Sequence, residues 1–101
     1  MVVIERLIQK IHPGKFAELA EIDEKYNVLE ADFGFPPKKR LQCVAGGHAF
    51  NTLIVERQWE SLAKMEAVYE KALANQDYQK LNQESIAVIE STQMELYTPL
   101  S

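Results

Sequence analysis

Cysteine, tryptophan and histidine are scarce in these 101 residues: one Cys, one Trp and two His. A lone thiol, Cys43, can build neither an internal disulfide framework nor a thiolate zinc site. No stretch approaches the roughly 18 consecutive apolar residues that span a bilayer. The start, Met1-Val2-Val3-Ile4-Glu5-Arg6, meets charge too early for the apolar core of a signal peptide. Positive charge is in deficit, with 11 Lys and Arg against 15 Asp and Glu and a net charge of −4. Nucleic acid and anionic membranes therefore find no electrostatic footprint. Asn51-Thr52-Leu53 lacks the hydroxyl residue that a glycosylation acceptor carries at its third position. Walker loops, dinucleotide fingerprints, nucleophile elbows and zinc-protease motifs are missing too. The expectation is a cytoplasmic protein with a reduced thiol, and no metal, cofactor, nucleic acid or membrane as partner.

What is present is ordinary globular material. Apolar content of 47% and charged content of 26% exclude a disordered tail or a collagen-like repeat. The length suits one domain, residues 1–101, small enough that self-association is a natural way to bury more surface. Residues 2–11 read as a strand, rich in β-branched side chains and closed by His12-Pro13-Gly14. Pro13 suits the first turn of a helix. Phe16, Leu19, Ile22, Tyr26, Leu29 and Phe33 then recur at helical spacing. Gly34, Pro36 and Pro37 end that run. Strands are expected over 39–45 and 49–58, joined tightly at Gly46-Gly47. A helix over 60–75 carries Leu62, Met65, Tyr69 and Ala72 on one face. Asp77 is placed to cap a shorter helix, and 92–98 alternates as a final strand.

The order βαββαβ is ferredoxin-like, an α+β fold with a four-stranded antiparallel sheet and the helices on one face. A sheet wet on its other face should alternate cleanly. Here Val2, Ile4 and Ile8 oppose Val3, Leu7 and Ile11, while Phe50 and Ile54 oppose Leu53 and Val55. Each aliphatic left exposed forgoes roughly 1.5–3 kcal/mol. A second copy, sheet against sheet in a two-fold homodimer, is the simplest cover.

Ile11-His12-Pro13-Gly14-Lys15, Val55-Glu56-Arg57-Gln58-Trp59-Glu60-Ser61-Leu62 and Asp77-Tyr78 resemble segments of the dimeric α+β-barrel superfamily. In that superfamily two ferredoxin-like subunits close their sheets into a homodimeric barrel. The likeness is nearest to NIPSNAP-like domains and more distant to antibiotic-biosynthesis-monooxygenase-like domains. It implies fold and dimerisation; it specifies no activity, because such folds host many functions. The monooxygenases often use a first-strand asparagine, to which Leu7 corresponds here. The haem-degrading branch uses a histidine on the second helix, and residues 60–75 contain none.

The candidate pocket residues are Glu5, His12, His48 and Trp59. The topology puts His12 and His48 at one end of the sheet beside a helix N-terminus, where anions are favoured. Two imidazoles there can hold a carboxylate or move a proton. The plainer reading is that His12 caps a helix start and His48 decorates a turn, and without a third ligand they make no metal site. Glu5, in mid-strand, becomes a candidate general acid or base if it faces the interior. Glu56 and Glu95 could converge with it, or each could pair with Arg6, Arg40 or Arg57. Trp59 packs the helix to the sheet by default, and in the superfamily an aromatic there commonly walls a cavity. Cys43 reads as a small buried hydrophobe, and Lys38-Lys39-Arg40 as a solvated run that protects a sheet edge or holds an anion. Three functions fit: a homodimer binding a small, largely apolar molecule in a cavity between sheet and helices or between subunits; a cofactor-independent monooxygenase-like enzyme acting on a phenolic or quinone-like substrate; and a solidly packed structural dimer.

Overall fold

In the computed structural model, which describes residues 1–100, seven elements follow one another. They are β1 (Val3–Ile11), α1 (Phe16–Phe33), β2 (Lys38–Gln42), β3 (Thr52–Trp59), α2 (Leu62–Leu73), α3 (Gln76–Ser85) and β4 (Ile89–Tyr97). The strands form one antiparallel sheet in the order β2-β3-β1-β4, the ferredoxin-like topology. Helix packing on one face makes a slab of 38 × 37 × 17 Å, about one helix layer on one sheet.

Period-two alternation decides what each face of the sheet receives. Val3, Glu5, Leu7, Gln9 and Ile11 of β1 turn towards the helices, as do Leu53, Val55, Arg57 and Trp59 of β3. Cross-strand register extends these into rows: Lys38, Arg57, Glu5 and Leu96 in one, Arg40, Val55, Leu7 and Met94 in the next. The open face alternates with them. It carries an aliphatic row of Leu41, Ile54 and Ile8, and a charged row of Lys39, Glu56, Arg6 and Glu95.

Under the helices the core divides into two clusters. Trp59, Phe35, Met65, Val68 and Tyr78 belong to one, and Ile11, Leu19, Leu53, Val55 and Val88 to the other. Tyr26 and Leu29 of α1 touch both. All six members of the spaced apolar run of α1 pack in one or the other cluster, as the 3.6-residue period requires.

Several boundaries depart from expectation for local reasons. Gly14 at φ +76° turns the chain once more, so α1 starts at Phe16 and not at Pro13. His12 does not cap α1 with its side chain; its carbonyl accepts from the Lys15 N–H. β2 stops at Gln42 and β3 begins at Thr52, so Gly46-Gly47 lies in a nine-residue connection and not in a tight hairpin. Asn51 is drawn to the end of β1 instead, where its carbonyl accepts from Ile11 N–H and its Nδ2 donates to Ile11 O at 2.7 Å. Cys43 follows β2 half-buried, its Sγ 3.5 Å from the carbonyls of Ala45 and His48. Asn75, not Asp77, caps α3, because its side chain is the one that reaches the Tyr78 N–H, at 3.0 Å. Among the described residues no helix is long and apolar enough to cross a membrane.

Candidate functional site

Two charged residues interrupt the helix-facing side of the sheet. Glu5 in β1 stands opposite Arg57 in β3, and their side chains are 0% and 3% exposed. Neither could stay there unpaired, since an isolated buried charge costs several kcal/mol. Glu5 is satisfied at both oxygens. Oε1 accepts from Arg57 Nη1 at 3.3 Å and from Trp59 Nε1 at 3.2 Å, while Oε2 accepts from the Tyr69 hydroxyl. Arg57 turns its other amino group to Glu30 Oε2 at 2.6 Å. Its Nε–H has no hydrogen-bond partner, and its guanidinium lies 4.9 Å from the centroid of the Phe35 ring, whose π face partly compensates.

The pairing continues outward along α1. Lys38 Nζ bridges Glu30 Oε1 at 3.1 Å and Asp23 Oδ1 at 2.7 Å, and Arg40 Nε lies 3.4 Å from Asp23 Oδ2. Six side chains of alternating sign thus run from the interior to the edge of the sheet. Helix geometry supplies half of it, because Asp23 and Glu30 are seven residues apart and share a face. The run 38–40 is therefore not a solvated decoration: β-alternation turns Lys38 and Arg40 inward and leaves Lys39 on the open face.

This chain forms the polar wall of a cavity of about 270 Å³ between the sheet and the helices. Leu7, Leu19, Leu53, Val55, Ile89 and Met94 supply an apolar body. Asp23, Glu30, Lys38 and Arg57 line it as well, with Tyr26, Tyr69, Tyr78 and Asn82. Thr92 and Met94, exposed on the helix-facing side of β4, mark the mouth. A cavity of 150 Å³ already accommodates benzene, so this one takes a molecule of about one or two rings.

Burial pushes all three phenols upward. Tyr78 is pushed up to about 12 by burial, then by the neighbouring Tyr26 and Glu30. Tyr69 is raised by burial and by its contact with the Glu5 carboxylate. Tyr26 is raised by burial against a weaker opposing bond from Ser85. At neutral pH the cavity therefore holds phenols and no phenolates. Burial pulls Arg57 downward, but Glu30, Tyr69 and Glu5 together outweigh it and leave the guanidinium raised.

Solved structures share this arrangement of elements. A NIPSNAP family protein from Agrobacterium tumefaciens superposes with a TM-score of 0.82 at 18% identity, covering 98% of this chain and 86% of that one. The fold is the one NIPSNAP-family domains have. A NIPSNAP domain protein from Burkholderia xenovorans gives 0.82 at 14% identity, covering 98% and 95% of the two chains. SnoaB, a cofactor-independent oxygenase from Streptomyces nogalater, gives 0.61 at 15%, covering 99% and 94%. No protein-family model and no curated protein matches the sequence, so the likeness is one of fold.

On this NIPSNAP-type scaffold the four candidate residues separate. Glu5 and Trp59 are hydrogen-bonded to each other and do not line the cavity, whereas Arg57 and Tyr69, which both bond Glu5, do. His12 is half-buried at the end of β1, and His48 is exposed in the 43–51 connection. His48 lies beside Ile8, Lys10 and Thr52 on the open face. Neither histidine is among the lining residues. Glu56 and Glu95 face away from Glu5, Glu56 held by Arg6 at 2.8 Å and Glu95 accepting from Tyr97. Nothing in the linear sequence groups Asp23, Glu30, Lys38, Tyr69 and Asn82. The one signal in the sequence is that Asp23 and Glu30 interleave with the apolar stripe of α1.

Proposed function

We propose that this chain is a cytoplasmic homodimer that binds a small, largely apolar molecule in the cavity between its sheet and its helices. The observation that carries the reading is the cavity of about 270 Å³, lined by aliphatic side chains together with a few polar and charged ones. That combination is typical of small-molecule sites. Glu5, itself bonded by Trp59, holds Arg57 and Tyr69, which meet the ligand; His12 and His48 have no part in it. Homodimerisation is supported by the open face, where the aliphatic row of Leu41, Ile54 and Ile8 gains most from a second sheet.

An enzyme is the second reading, favoured by the fold shared with SnoaB, a cofactor-independent oxygenase. Leu7 weighs against it. It lines the cavity where the superfamily's monooxygenases often place an asparagine, and an aliphatic side chain can neither orient a substrate by hydrogen bonds nor pass a proton.

A thermal-shift screen of small aromatic compounds tests the binding reading. Stabilising compounds are expected, and the effect should vanish in Leu7→Trp, where the added rings occupy the cavity. Compounds that stabilise both proteins alike would place binding elsewhere, and product formation from a bound compound would favour the enzyme.

A further inference from the structure

The charges of the cavity wall cancel. Asp23, Glu30, Lys38 and Arg57 are the charged residues among those that line it, two of each sign. Lys38 lies 2.7 Å from Asp23 and 3.1 Å from Glu30, and Arg57 lies 2.6 Å from Glu30. Arg40 and Glu5 close the two ends of the same chain, so no cation is left to greet an anion and no carboxylate to greet a cation. A charged group entering this space would shed water and find every counter-charge engaged, which is the costly case for burial.

Four lining residues keep hydrogen-bonding groups outside these pairings: Gln9 in β1, Thr92 at the mouth, and Tyr78 and Asn82 on α3; the Arg57 Nε–H, also unpartnered, is fully buried. On α3 one is the Tyr78 hydroxyl. The other is the amide N–H of Asn82, whose Oδ1 is taken by Tyr26 at 2.5 Å. The two residues are four apart on α3, one turn from each other on the same face. Both border the same space as the aliphatic side chains.

Resting on the binding reading above, we infer that the ligand is uncharged: an apolar body carrying one carbonyl or hydroxyl group, which Tyr78 and Asn82 hold. Anionic and cationic analogues of the same shape are rejected because the alternating ion-pair chain offers them nothing.

Benzamide and benzoate test this, being nearly the same shape and differing in charge. Each is titrated into the intact protein at neutral pH while the backbone amide signals of Tyr78 and Asn82 are followed by NMR. Benzamide is expected to shift both signals and to bind at least about tenfold more tightly than benzoate, the scale of one lost hydrogen bond or more. Glu30→Gln removes one carboxylate and leaves the wall with surplus positive charge, so the preference for benzamide should fall by about tenfold. Asp23→Asn, nearer the edge of the sheet, makes the same test should Glu30→Gln fail to fold. Equal or tighter binding of benzoate to the wild type, with the same signals moving, overturns the uncharged-ligand inference and leaves the binding cavity standing. If neither compound moves the signals at millimolar concentration, the cavity reading falls and this inference with it.

Discussion

Glu5 and Glu56 are both strand carboxylates paired with an arginine, yet their surroundings make them unequal. Glu5 is fully buried among Arg57, Trp59 and Tyr69, whereas the Arg6–Glu56 pair is 40% and 25% exposed. Glu5→Ala leaves Arg57 Nη1, Trp59 Nε1 and the Tyr69 hydroxyl without their buried acceptor, though Arg57 keeps Glu30, and should cost about 3–5 kcal/mol. In the single chain Glu56→Ala should cost about 1 kcal/mol or less, because solvent there screens the pair it breaks. Urea unfolding of the two variants checks the contrast; equal losses would mean that Glu5 is not buried as described. Tyr78 makes a second residue-scale prediction, for alkaline stability. Its phenol loses a proton near 10.0 in the unfolded chain but at about 12 in the folded one. Between those values the unfolded state has shed a proton that the folded state keeps, so stability is full below pH 10 and falls as pH rises towards 12. The loss from this one group is up to ~3 kcal/mol. Tyr78→Phe should flatten that limb of the stability profile, and an unchanged profile would remove Tyr78 as its source. Glu5 and Arg57 were legible as charges within apolar strands, but with aliphatics in both phases nothing local says that they are buried or that they face each other.

The elements obey short-range rules, and those rules were readable wherever periodicity was long. α1 needed only its apolar spacing and Gly34, which at φ +91° sends its N–H back to the carbonyls of Glu30 and Ala31. The helix after the third strand also needed its cap, Ser61, whose Oγ accepts from the Lys64 N–H at 3.1 Å. Caps two residues apart are harder to rank, as Asn75 and Asp77 show. Asn75→Ala should cost about 1 kcal/mol by thermal or denaturant unfolding, because it removes the bond to the Tyr78 N–H. Asp77 sits in the first turn, and Asp77→Ala should cost only about 0.3–1 kcal/mol through the helix dipole. A larger loss for Asp77→Ala would reverse the capping assignment. The connection over 43–51 resisted reading for another reason. A Gly-Gly pair permits a tight turn, but the competing bonds of Asn51 to Ile11 are made across 40 residues of chain.

At the scale of the whole molecule, a slab 17 Å thick has one sheet face with nothing stacked on it. Ile8 and Ile54 are directly paired across β1 and β3 at the centre of that face. Two-fold pairing of sheets predicts a solution mass of two chains by sedimentation equilibrium, with a melting temperature that rises with protein concentration. Ile8→Asp combined with Ile54→Asp brings carboxylates together across the axis and should shift the mass towards one chain. A wild-type mass of one chain at micromolar concentration would refute the dimer. From its amino-acid order alone, this protein's element order and the apolar face of α1 were determined, since a period of 3.6 residues expresses itself within a few turns of chain; which phase of each strand meets the helices was not, because both phases carry aliphatic side chains. Tertiary structure alone decided that Glu5 meets Arg57, that Glu30 and Asp23 clasp Lys38, and that Tyr78 and Asn82 border the same hollow as Leu7. Those meetings follow from strand register and from how α1 and α3 lie on the sheet, which are settled by long-range packing.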